Sequence, residues 1–124
     1  MKNILWQCSD NRLTDSNLFK LWKKKSNYYR LWVLRKFEEV TRGNKISKIA
    51  MLGLAYKAGT DSTKNSPSIM IINKLKEKYK IKAYDPIVKK LNYKNVNFVR
   101  SIFEALKESE ILFIMTPWKE FKNL

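Results

Sequence analysis

A chain of 124 residues, 44% of them hydrophobic, can bury one core and falls within the usual size of a single domain, roughly 50–200 residues. One cysteine and no histidine exclude an internal disulfide and leave a metal site such as zinc without its usual ligands. Twenty-six Lys and Arg against eleven Asp and Glu give +15, a field that draws phosphates, but the basic residues are mostly lysines spread through every segment, whereas base readout favours clustered arginine forks, so a nucleic-acid partner is not expected.

Residues 1–14 show no sustained period and include the turn-forming group Ser9, Asp10 and Asn11, so they read as a loose arm. No apolar run reaches the roughly 18 residues of a membrane-spanning helix, and "ILWQC" is too short for the core of a secretion signal. The expectation is a soluble, cytoplasmic chain with no membrane partner. Asp15 or Ser16 can cap a long helix in which Leu18, Trp22, Tyr29, Val33, Phe37 and Val40 recur at helical spacing until Gly43. One helix and two helices broken near Ser26 and Asn27 are both open readings, because residues 23–26 offer no apolar side chain to continue the stripe. Tyr28, Leu31, Trp32 and Leu34 fall on the other side, so the helix over 15–43 carries more apolar surface than one face can bury and calls for a covering partner.

Beyond Gly43 short apolar runs alternate with turns. "KIAMLGL" (48–54) reads as a strand buried on both faces, the pattern of a parallel sheet. Ser66 followed by Pro67 marks a helix start, and Ile69, Ile72 and Leu75 give that helix an inward face to about Lys78. "KIKAYDP" (80–86) is a second strand ended by Pro86, and "VNFV" (96–99) a short one. Ser101 with Glu104 forms a capping box for a helix to about Ser109, and "ILFIMT" (111–116) is a further buried strand. Strands alternating with helices predict right-handed crossovers and an α/β fold: a doubly wound, mainly parallel Rossmann-like sheet preceded by the long helix.

The connection "GLAYKAGTDSTKNSP" (53–67) follows the first strand, where doubly wound sheets bind ligands. Two glycines and small side chains permit close approach of backbone to a ligand, and Lys57 and Lys64 bring positive charge, so phosphate is the natural guest. The dinucleotide fingerprint needs three spaced glycines, and Gly53 and Gly59 are separated by "LAYKA" with no third, which does not support a nicotinamide-cofactor cradle.

Several motifs in order resemble the C-terminal domain of the UDP-glucose and GDP-mannose dehydrogenases. Gly53, Leu54, Ala55, Lys57, Thr60, Asp61, Ser66 and Pro67 match that family's loop; Asp85-Pro86 follows the second strand; Thr116, Trp118 and Phe121 match the segment after the last. Trp22 and Asn27 resemble the central dimerisation helix. After the loose arm over 1–14, the resemblance implies a central helix over 15–43 and an incomplete UDP-sugar-binding α/β domain over 44–124. It implies an enzyme class that oxidises the C6 alcohol of a UDP-sugar to a carboxylate in two NAD-dependent hydride transfers, with Tyr56 and Lys57 contacting the UDP-sugar and Lys64 facing NAD. Ser62, Lys64 and Asn65 stand where the family has Asp, Arg and Glu. Cys8 lacks the glycines and the Pro-Lys-Asp that surround the family's nucleophile, so no catalytic residue is assigned and NAD is not expected to bind this chain alone. The expected partners are a UDP-sugar and either a second copy or a separate NAD-binding chain. Two alternatives are a basic module that binds nucleotides or nucleic acid, and a structural subunit.

Overall fold

The computed structural model describes residues 20, 21, 24, 25, 28, 31–89 and 91–124. The arm over 1–14, Cys8, the helix start at Asp15 or Ser16 and the break near Ser26 and Asn27 lie outside them. The described residues divide between Arg42 and Gly43 into two compact units. In the first, α1 (Trp32–Thr41) is preceded by Tyr28, whose ring lies under the Arg35 guanidinium at 3.6 Å and whose carbonyl accepts from Arg35 Nη1 at 2.8 Å. Arg42 already leaves the helical region, with ψ 118.

The second unit is a four-stranded parallel sheet. Its strands are β1 (Lys48–Leu52), β2 (Lys80–Tyr84), β3 (Val96–Phe98) and β4 (Ile111–Ile114), in the spatial order β3-β2-β1-β4. Central β1 pairs Ile49 with Ile81 on one side and with Ile111 on the other. Ile49, Ala50, Met51 and Leu52 are each 0% exposed, as expected for a strand flanked by neighbours and covered on both faces. Strand β4 was expected to be buried, yet Leu112 and Ile114 are exposed and Phe113 is buried. It lies at the sheet edge, where burial alternates because one face has less cover.

Two helices make the crossovers. α2 (Pro67–Leu75) joins β1 to β2 and turns Ile71, Ile72 and Leu75 inward. α3 (Ile102–Leu106) joins β3 to β4 and packs against β1 and β2. The Ser101 hydroxyl accepts from Glu104 N–H at 3.1 Å, and the Glu104 carboxylate accepts from Arg100 N–H at 3.1 Å, a capping box shifted by one residue from its usual reciprocal bond. Both helices stop earlier than their apolar pattern suggests. The connection from β2 to β3 has no helix among its described residues. From β1 the chain steps outward to β2 and β3, then returns across the sheet to β4 on the other side of β1. The order therefore reverses between β1 and β4, and the segments leaving their carboxyl ends, 53–66 and 115–118, stand side by side.

Candidate nucleotide-binding site

Gly53 ends β1 with φ +88, and a Cβ built there would lie 2.6 Å from the Cβ and backbone nitrogen of Thr116. Only glycine lets the loop leaving β1 pass so close to the segment leaving β4. The Thr116 hydroxyl donates to the Ala55 carbonyl at 2.8 Å, and the Ser68 hydroxyl donates to the Gly53 carbonyl at 2.6 Å. Both side chains are buried. The start of the loop is thus held from the β4 side and from α2.

Asp85, at the end of β2 and 3% exposed, completes this frame. Its Oδ2 accepts from Leu54 N–H at 2.8 Å, Ala55 N–H at 3.1 Å and the Trp118 indole N–H at 3.1 Å. Its Oδ1 accepts from Ile87 and Val88 N–H, both at 2.9 Å. Burial pushes this carboxyl upward, but the N–H donors of Val88, Leu54, Ile87 and Ala55 outweigh it and hold Asp85 below the usual carboxylate range. One ionised side chain therefore ties together the exits of β1, β2 and β4. Next to it, burial and then the Glu120 carboxylate raise the Tyr84 phenol above its ordinary value. Tyr84 meets Phe121 edge-on at 6.2 Å, and Leu52, Val99, Ala105 and Phe121 form the core beneath, with Trp118 against it.

Beyond this clamp the loop projects. Tyr56 N–H donates to the Ser62 carbonyl at 2.8 Å and pinches the loop closed, leaving Tyr56 56% exposed. The Lys57 ammonium stands 6.0 Å from the Tyr56 ring centre, so the two residues expected to meet substrate lie together on the rim. Lys64 is exposed in a separate turn at the foot of α2, where Ser66 N–H donates to the Thr63 carbonyl at 3.1 Å and Asn65 takes φ +59. Ser66 occupies the N-cap position without capping. Its hydroxyl is buried and has no hydrogen-bond partner among the described residues.

The framework residues Gly53, Ser68, Asp85, Thr116 and Trp118 escaped assignment as site residues. Asp85 carried a usable signal: an acid that closes an apolar strand just before proline has little water near it and must find protein donors. In a dinucleotide fold an acid further along the chain, beyond the glycine-rich turn, reads the ribose. Here both oxygens of Asp85 are spent on the protein. With no third glycine in the loop, this unit does not fit a dinucleotide of its own.

Residues 50–124 match the profile of the UDP-glucose/GDP-mannose dehydrogenase family, UDP binding domain. The UDP-glucose 6-dehydrogenase of Rickettsia felis is 47% identical over 83 residues, covering 61% of this chain and 18% of that protein. The UDP-glucose 6-dehydrogenase YwqF of Bacillus subtilis is 33% identical over 126 residues, 98% of this chain and 29% of that protein. The chain thus spans less than a third of the length of these relatives. The solved UDP-glucose dehydrogenase of Pyrobaculum islandicum superimposes with a TM-score of 0.74 at 22% identity, over 86% of this chain and 26% of that one. This likeness shows the shared α/β fold.

Proposed function

Because the chain belongs to the UDP-glucose/GDP-mannose dehydrogenase family, matching its UDP binding domain, we propose that residues 44–124 hold the nucleotide end of a UDP-sugar in an NAD-dependent UDP-sugar dehydrogenase. One observation carries the reading. The loop over 53–66 lies where the strand order reverses, its first residues clamped by Asp85, Thr116 and Ser68, its tip carrying Tyr56 and Lys57 outward. A rigid base under an exposed cation suits capture of a diphosphate, since a preorganised loop loses little freedom on binding. In this reading Lys57 meets a phosphate or sugar oxygen and Tyr56 lies against the ligand beside it.

The same reading gives residues 15–43 the role of a helix that joins subunits, so that the chain works as a homodimer or beside a separate NAD-binding chain. Lys64 faces an NAD held elsewhere. As an ammonium it offers a point charge where the family pattern has a planar guanidinium. The hydride-transfer steps are not assigned to the residues described. No helix among them is long and apolar enough to cross a membrane.

Titrating UDP into the chain by calorimetry tests this. Binding is expected near 1 mM, about 4 kcal/mol. Lys57→Ala should weaken it roughly ten- to a hundredfold, the loss of a charge-assisted hydrogen bond of about 1.5–3 kcal/mol. Lys94→Ala, which removes an exposed charge from the β2–β3 connection, should change it less than twofold because surface charge is screened within about 8–10 Å. Equal losses would reduce Lys57 to part of a general positive field, and absence of UDP binding would refute the reading.

A further inference from the structure

The connection from β2 to β3 leaves a cavity of about 750 Å³ against β3, in the place where a doubly wound sheet ordinarily packs a crossover helix. We propose that this cavity is a second ligand site, separate from the 53–66 loop, that takes a planar aromatic anion of mononucleotide size. Its volume lies within the roughly 300–1,000 Å³ of small-molecule sites. None of the residues 53–66 lines it; it spans the carboxyl ends of β2 and β3, and it shares the wall residue Asp85 with the base of that loop.

The lining chooses the ligand. Tyr93 and Phe98 are aromatic residues of the lining, of the kind that stacks on a flat aromatic group, while the Tyr84 ring packs edge-on to Phe121. Lys89 and Arg100 contribute cations. Lys76, outside the lining, stands 5.1 Å from the Tyr93 ring centre. Arg100 is exposed and forms no ion pair among the described residues. Asp85 is the acidic residue in the wall, and its two oxygens already accept five hydrogen bonds. It therefore has no acceptor left for a cationic or donor-rich ligand, and N–H dipoles offset its charge. A ring and an anionic group in one molecule satisfy both halves of the wall; either alone satisfies one.

The test is a titration of the ¹⁵N-labelled full chain with AMP, followed by amide shifts. Shifts are expected at Asn92, Tyr93, Phe98 and Arg100, saturating in the low-millimolar range, with adenosine and inorganic phosphate each at least fivefold weaker. Arg100→Ala and Tyr93→Ala should each weaken AMP at least fivefold, while Lys57→Ala leaves it unchanged. Asn92→Trp places a large side chain in the cavity from an exposed position and should abolish the shifts; the variants' spectra without AMP report whether they fold. No shifts up to 10 mM AMP, shifts confined to 53–66, or shifts scattered over surface lysines would each overturn the proposal. The inference goes beyond the UDP reading, and the UDP and AMP titrations can fail independently.

Discussion

Asp85→Asn keeps the shape of the buried side chain and removes half of its acceptors. Whichever way the amide settles, an NH₂ group replaces one carboxylate oxygen. The milder orientation puts the NH₂ at Oδ1, facing the N–H groups of Ile87 and Val88; the other would confront Leu54, Ala55 and the Trp118 indole. A buried donor without an acceptor costs about 1–3 kcal/mol. Ile87 is 42% exposed, so its N–H can turn to water, whereas Val88 is buried. Adding the weaker bonds left to a neutral oxygen, the expected loss is about 2–4 kcal/mol, set against the roughly 5–15 kcal/mol that holds an ordinary domain. With a urea slope of about 1.5 kcal/mol/M, the unfolding midpoint should fall by roughly 1.3–2.7 M at unchanged slope. A fall under about 0.3 M at unchanged slope would refute the claim that this carboxylate organises the three loops.

Acid should expose the same residue. The folded carboxyl of Asp85 lies below its ordinary value, so its contribution is complete above the unfolded value of about 3.9 and is lost as pH falls through the folded one; urea midpoints measured from pH 6 down to pH 2 should decline below about pH 4 in the unmodified chain, and the decline should be shallower in Asp85→Asn. Gly53→Ala and Gly59→Ala form a matched pair, with φ +88 and +82, but only the first places a Cβ against Thr116, the second having no atom within 4 Å. Each should lose about 1–2 kcal/mol to left-handed backbone, and the melting temperature of Gly53→Ala should fall clearly further; equal falls would contradict the close approach of the two loops.

The elements of the sheet were legible because each one's signal is local. Four apolar residues in succession at 49–52 can be hidden only by neighbours on both edges and cover on both faces, and the glycine after them can take the positive φ of the turn that follows. Pro67 after Ser66 suits a first helical turn, since its φ is set and it has no N–H to lose. The loop after β1 was legible for the same kind of reason as a polar connection of small residues and lysines, in a place that the parallel topology reserves for ligands. What tertiary structure alone decided depends on partners distant in sequence. Residues 111–114 read as a buried strand, yet whether a strand is central or at an edge is settled by the order β3-β2-β1-β4, which no window of residues contains. Ser66 has the residue type and the extended backbone of a cap, yet its hydroxyl has no hydrogen bond in the described structure. Asp85 reads only as the acid of the Asp-Pro pair that ends the second strand. Folding brings Leu54, 31 residues earlier, and Trp118, 33 residues later, onto one of its oxygens. Removed from water, a carboxylate must be satisfied by whatever donors the fold delivers, and only the fold specifies which those are.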